Sequence, residues 1–192
     1  MDDTSKKLVT RQTLLLKVRN QYDESSWEDF TRYYGRYIYA VLRGMGIDYN
    51  DLEDMHQAVL LILWKNLPKF EYNPEKGSFR SWLCTIIRNH VYGYYRDKKS
   101  GAELKSEDAV DSELEKISEK EWMIHIATVA WENVKDDFSE SVQKIYVRLT
   151  NGEKPEDIAE ETGITRGTVY VYKERVQKAL RREVRRLERE LG

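Results

Sequence analysis

The feature of this sequence that most restricts its fold is an apolar stripe with helical spacing between residues 27 and 45. Trp27, Phe30, Tyr34, Tyr37, Ile38, Val41, Leu42 and Met45 recur mostly at intervals of three and four, which puts them on one side of a helix and leaves no alternation for a strand. Ser25, three residues before Glu28, predicts a capping box at the start, and Gly44 and Gly46 predict the end. A second helix is expected from about Asn50 through Leu52, Met55, Val59, Ile62 and Leu63, stopping before Pro68. The turn-forming loop "EYNPEKGS" follows, and Ser78 is placed to cap a third helix carrying Phe79, Trp82, Leu83, Ile86, Ile87 and Val91.

Beyond Arg96 the chain turns polar, and residues 99–118 hold Gly101 and few large apolar groups, so a linker is expected there. Helical periodicity resumes at Trp122, Ile126, Val129 and Ala130, and again at Val142, Ile145, Tyr146 and Leu149 up to Asn151-Gly152. The stretch "GITRGTVYVYKERVQKAL" alternates β-branched and aromatic residues from Thr168 to Tyr172 as a strand does. Its flanks decide otherwise. Pro155 suits a first helical turn, Gly163 breaks that helix, and Thr165 can cap the next, on which Val169, Tyr172, Val176 and Leu180 share a face. A short helix, a tight turn and a second helix with an outward aromatic and basic face form a helix-turn-helix, whose second helix can enter the major groove of DNA. The competing reading is an αα corner that only packs. The expected fold is all-α: two small helical domains, residues 1–98 and 119–192, joined by a flexible acidic linker.

Charge follows the same division. The 192 residues carry a net charge of −2, but residues 76–99 hold six basic residues against one acid, residues 103–121 eight acids against three lysines, and residues 166–189 nine basic residues against three acids. Two anion-binding units around an acidic segment are expected. No apolar run is long enough to span a bilayer and the first residues lack the apolar core of a secretion signal, so a cytoplasmic location without membrane insertion is expected. The single cysteine, Cys84, lies among apolar neighbours and reads as core packing.

No catalytic constellation is present: His56, His90 and His125 are scattered, and no glycine-rich phosphate loop occurs. Asp51, Asp54 and Gln57 fall on roughly one side of the second helix, with Leu60 and Trp64 close by. Carboxylates in a first helical turn complement the helix dipole; a metal-dependent nuclease using Asp48, Asp51, Glu53 and Asp54 is the remote alternative. In the third helix Arg80, Arg88 and Arg96 interleave with Asn89, Tyr92, Tyr94 and Tyr95, cations beside rings on which unpaired bases could stack. Tyr92 and Tyr95 lie off the core face and are expected to be exposed.

Three segments, D-x-E-D-x-x-Q-x-V-x-L-x-L-W from Asp51, F-R-S-W-L-x-x-I-x-R-N from Phe79 and I-A-x-x-x-G-I-x-x-x-x-V from Ile158, together resemble bacterial RNA polymerase sigma factors of the sigma-70 family, of the compact extracytoplasmic-function type. The resemblance covers nearly the whole chain. It implies that residues 1–98 correspond to region 2, which binds the clamp helices of the polymerase largest subunit and melts the minus-ten element, and residues 119–192 to region 4, which binds the polymerase flap and reads the minus-thirty-five element. It further implies polymerase binding through Asp51, Asp54, Gln57 and Trp64, and minus-ten contacts by Lys76, Ser78, Arg80, Arg88, Asn89, Tyr92 and Arg96. Minus-thirty-five contacts would come from Thr165, Arg166, Thr168, Tyr170, Val171, Lys173, Glu174, Arg175 and Lys178. The implied partners are core RNA polymerase and promoter DNA, with an anti-sigma factor as a further candidate; no cofactor or metal is implied. The chain departs from the family at Tyr170 and Val171, where a basic residue and a serine are common. A stand-alone helix-turn-helix regulator is the alternative from a different class.

Overall fold

The structure, a computed structural model, describes residues 11–70, 78–98 and 107–191. Every regular element among them is helical. In chain order these are α1 (Arg11–Lys17), α2 (Glu24–Gly44), α3 (Tyr49–Asn66), α4 (Phe79–Asp97), α5 (Glu107–Val134), α6 (Glu140–Thr150), α7 (Pro155–Thr162) and α8 (Arg166–Leu191), with short 3-10 turns at Leu67–Lys69 and Lys135–Asp137. The chain forms two compact units, the first reaching His125 and the second covering Ile126–Arg189.

The stripe of α2 is the centre of the first unit. Phe30, Tyr34, Tyr37, Ile38, Val41 and Leu42 are buried, and Met45 just beyond the helix joins them. They face Leu52, Met55, Val59 and Leu63 of α3 and Phe79, Leu83, Ile87 and Val91 of α4, all buried. Aromatic contacts knit these helices together: the Tyr34 and Phe79 rings lie 5.0 Å apart, and the Phe70 and Trp82 rings meet tilted at 4.4 Å. The cap of α2 differs from the expected capping box. Asp23 is the N-cap and accepts from the Ser26 amide at 3.0 Å and the Ser26 hydroxyl at 2.7 Å, while Ser25 and Glu28 stay exposed. A carboxylate two residues upstream of the serine is the stronger acceptor for an N-terminal amide, and the helix begins there instead. Ser78 caps α4 as expected, accepting from the Ser81 amide at 3.1 Å.

The larger difference concerns residues 107–118 of the expected linker, whose residues 99–106 lie outside the described residues. Residues 107–118 are the beginning of α5, and Val110, Leu114 and Ser118 are buried in the first unit. Contacts fall along α5 as they rise along α4: Arg80 meets the Trp122 ring, Cys84 meets Ser118, and Arg88 and Tyr92 meet Asp111, so the two helices run antiparallel. α2 borders them too, because a Cβ on Gly44 would lie 2.7 Å from the Ile117 side chain. Asp108, Glu115 and Glu119 sit outward while Asp111 turns to α4, and Val110, Leu114, Ser118 and Trp122 repeat every four residues. Polar composition hid a sparse amphipathic stripe.

In the second unit Ile145, Ile158 and Val169 are the buried core, with Leu149, Ala159, Ile164 and Tyr172 packed around them. Gly163 closes α7 in the left-handed region at φ +70°, a conformation that costs other residues strain. Thr165 then caps α8, accepting from the Thr168 amide at 3.1 Å. Val176 and Leu187 are buried further along α8, so the run from Thr168 to Tyr172 is helix and the alternation is incidental.

The burial of Leu114, 1% exposed, gives a direct test of α5. Leu114→Ala should lower the unfolding free energy of the first unit by about 2–5 kcal/mol, the usual cost of such a truncation in a core. Chemical denaturation followed by tryptophan fluorescence measures it, and a change below about 0.5 kcal/mol, as at a surface position, would mean that the segment is linker after all.

Candidate functional site

Three surfaces concentrate the residues singled out in the sequence. On the first unit, Gln57 and Trp64 of α3 line a concavity of about 530 Å³ together with Trp27, Thr31, Leu60 and Leu61. Leu61 is 51% exposed and Trp64 37%, so this is an apolar patch left open to solvent with a polar amide at its edge. Gln57 is held by donating to Glu53 at 2.9 Å. Asp54 is exposed one turn earlier on the same helix. Trp27 reads from sequence as part of the core stripe but is half-buried at this patch, and Thr31 and Leu61 carry no sequence signal, because a residue at the margin of a stripe reads as core until its neighbours are known.

Asp51 belongs elsewhere. It accepts from the Tyr94 hydroxyl at 2.9 Å and pairs with Lys98 at 2.8 Å, and Lys98 also binds Asp48. This network ties the start of α3 to the end of α4. Lys98 chiefly, with Tyr94 in support, holds both carboxyls below their ordinary value of 3.8. With Asp48 and Asp51 turned to Lys98 and Glu53 bonded to Gln57, the four acids do not converge. No group of three or more potential metal ligands gathers among the described residues.

The second surface is α4. Asn89 and Arg96 are exposed, but several other expected contact residues are engaged within the unit. The Ser78 hydroxyl caps α4. Arg80 lies over the Trp122 ring at 5.7 Å, Arg88 pairs with Asp111 at 3.0 Å, and the Tyr92 hydroxyl donates to Asp111 at 2.6 Å. Tyr92 and Tyr95, expected to be exposed, are half-buried, and Tyr95 donates to the Met45 carbonyl. α5 covers the side of α4 that carries Tyr92, and the chain just after α2 takes up Tyr95. Lys76 and the rest of the loop 71–77 lie outside the described residues. Cys84 is half-buried beside the hydroxyls of Tyr37 and Ser118, at 3.3 and 2.8 Å, rather than in purely apolar surroundings.

The third surface is the start of α8. Tyr170 and Val171 are 44% and 55% exposed, and Thr165, Arg166, Glu174, Arg175 and Lys178 are exposed with them, while Thr168 and Lys173 are half-buried. Arg166 stacks on the Tyr170 ring at 5.5 Å and pairs with Glu156 of α7 at 2.8 Å, so this guanidinium is preset relative to the ring. Glu174 pairs with Arg181 at 2.6 Å. Behind this face, Arg148 bridges Glu153 and Glu161 and fixes α6 to α7. A separate groove of about 740 Å³ in this unit is lined by Trp131, Ile145, Val147, Ile164 and Tyr172 among others, with Val147 43% exposed.

Residues 30–101, from within α2 to just past α4, match the family described as sigma-70 region 2. That similarity supports a sigma-70 family sigma factor with a role in transcription initiation, RNA polymerase binding and DNA binding. No curated protein matches the chain significantly.

The Lys98 network predicts a pH dependence. Carboxyls whose folded pKa is lowered add stability that is fully present above their unfolded pKa and is lost as the pH falls through the folded value. Lys98→Met should therefore be destabilising near pH 6 and less so near pH 2, because the penalty shrinks as the pH falls through the lowered folded values of Asp48 and Asp51. Urea midpoints at the two pH values test this; an equal penalty at both would show that the contacts add no charge-dependent stability.

Proposed function

We propose that this chain is a cytoplasmic transcription initiation factor of the extracytoplasmic-function type, which binds core RNA polymerase, directs it to specific promoters and melts their minus-ten element. The observation that carries the reading is the similarity of residues 30–101 to sigma-70 region 2, joined in the same chain to a helix-turn-helix with an exposed aromatic and basic second helix. No helix among the described residues is long and apolar enough to cross a membrane.

In this reading the open patch of Trp27, Leu61 and Trp64, with Gln57 and Asp54 at its edge, receives the clamp helices of the largest subunit. Apolar anchors give the affinity and the acid sets orientation against a basic partner. Asp51 then acts indirectly, by holding α3 to α4. Asn89, whose amide both donates and accepts, reads a base displaced from the duplex, and Arg96 holds the strand backbone. The face of Arg166, Tyr170, Val171 and Arg175 enters the major groove at the minus-thirty-five element, and the groove at Trp131 and Tyr172 takes the polymerase flap. The chain itself carries no catalytic step, and an anti-sigma factor would regulate it by covering one of these surfaces.

The deciding experiment adds the purified chain to core polymerase and a library of promoter fragments and looks for open complexes and run-off transcripts. Tight, sequence-specific binding to duplex DNA without polymerase, and no transcripts with it, would support a stand-alone regulator instead.

Three further outcomes are expected. Asp54→Arg should leave the fold intact and abolish competition for core polymerase, since the side chain is exposed and charge reversal meets a basic surface with repulsion; undiminished competition by the folded variant removes the clamp assignment. Asn89→Ala holoenzyme should bind but not melt fully paired promoters and be rescued on a pre-opened template. Arg175→Ala should lose about 1–3 kcal/mol of recruitment if it contacts a base edge and be rescued by concentration. Permanganate reactivity beside a mobility-shift titration separates the two, and an identical ratio of melted to bound promoter in both variants would contradict this division.

A further inference from the structure

The carboxylate of Asp111 sits between two groups on α4 that are suited to hold an anion. The Tyr92 hydroxyl donates to its Oδ1 at 2.6 Å, and Arg88 Nε approaches the same oxygen to 3.0 Å. Arg88 Nε makes no hydrogen bond there, so its contact with Asp111 is an ion pair without aligned geometry. The two side chains of that pair are 39% and 43% exposed, a setting in which water screens the attraction and the net gain is small. One oxygen of Asp111 thus takes both contacts, although a guanidinium and a phenol one turn apart offer donors enough for two oxygens of one anionic group.

We propose that Arg88 and Tyr92 form a subsite for a backbone phosphodiester of single-stranded DNA, and that the chain fills this subsite with its own Asp111 until a strand displaces it. The inference rests on the reading of α4 as the strand-binding helix and adds to it the chemical class each residue takes, phosphate rather than base, and an internal competitor. The phosphodiester oxygens accept from the Arg88 guanidinium and the Tyr92 hydroxyl, and Asp111 returns to solvent. α5 does not unfold or shift in this exchange: Val110, Leu114 and Ser118 anchor it, and only the part-exposed Asp111 side chain turns away. An occupied subsite lowers the apparent affinity by the fraction of molecules in which it is free. Free protein is therefore restrained from holding stray single strands, and a correctly opened promoter supplies a phosphate at high local concentration.

The test is the affinity of the full-length chain for a fluorescent oligothymidylate of about 20 nucleotides, by anisotropy at low salt and without polymerase. Asp111→Asn keeps an acceptor for Tyr92 and removes the charge that draws Arg88. It should bind about three- to tenfold tighter than the parent. Asp108→Asn makes the same change in net charge on an exposed neighbour and should change binding less than about twofold. The conservative Asp111→Glu should behave as the parent, and the double variant Arg88→Gln with Asp111→Asn should lose the gain. Circular dichroism reports whether α5 is retained, and Asp111→Ser gives the same readout should the amide disturb the helix. No gain in folded Asp111→Asn or Asp111→Ser, an equal gain in Asp108→Asn, or a gain that survives Arg88→Gln would each overturn the proposal. If transcription with core polymerase is seen but Asp111→Asn brings no gain, this inference fails alone. If the gain is seen but open complexes never form, the subsite stands and the sigma-factor reading falls.

Discussion

A phenol hydroxyl placed in the interior of a helical core must find a hydrogen-bonding partner or cost much of what its ring contributes, and the first unit is organised around how Tyr37 does so. Its ring is 2% exposed, its hydroxyl bonds Ser118 of α5 at 2.7 Å and lies 3.3 Å from Cys84 of α4, and its edge meets the Trp122 ring at 5.3 Å. Burial pushes the phenol pKa well above its ordinary value, so the group stays neutral and acts as a hydroxyl throughout the accessible pH range. Three helices meet at this one polar contact. Because Ser118 is buried only if α5 lies against both α2 and α4, satisfying Tyr37 also fixes where Asp111 and Trp122 fall.

α4 divides its surface accordingly. Phe79, Leu83, Ile87 and Val91 make one buried line, Cys84 and Arg88 meet α5, and Asn89 and Arg96 remain on the open side. A helix that supplies core, interface and open surface in the same turns cannot move independently of the rest, since a rotation that freed Tyr92 would also drag Ile87 out of the core. Whatever α4 binds must therefore be accommodated by displacement of side chains rather than of the helix.

Much of this was legible in the sequence. The stripe from Phe30 to Met45 reports its own burial because large apolar groups at helical spacing have no other stable destination, and Ser78, Gly163 and Thr165 report helix ends because their backbone roles are local. The start of α5 was not legible, since its stripe has only a valine, a leucine and a serine within an acidic run, and burial of that serine depends on a tyrosine 81 residues away. Asp51 was grouped with Asp54 and Gln57 from helical geometry alone, whereas its orientation is decided by Lys98 at the far end of α4. Local chemistry is readable from sequence, while a side chain whose partner is remote in sequence is not. The open patch at Leu61 and Trp64 illustrates the same limit from the other side, because an unpartnered apolar residue is recognised only when all its neighbours have been placed.

Gly44 carries a consequence that extends beyond this one chain. Its Cα faces the Ile117 side chain so closely that an added methyl group would overlap it at 2.7 Å, well inside van der Waals contact. The two positions therefore share one volume. Where related chains keep α5 folded against α2, a residue larger than glycine at position 44 should be accompanied by a smaller one at 117, and that paired variation would trace the docking of this helix through a lineage without another structure being determined.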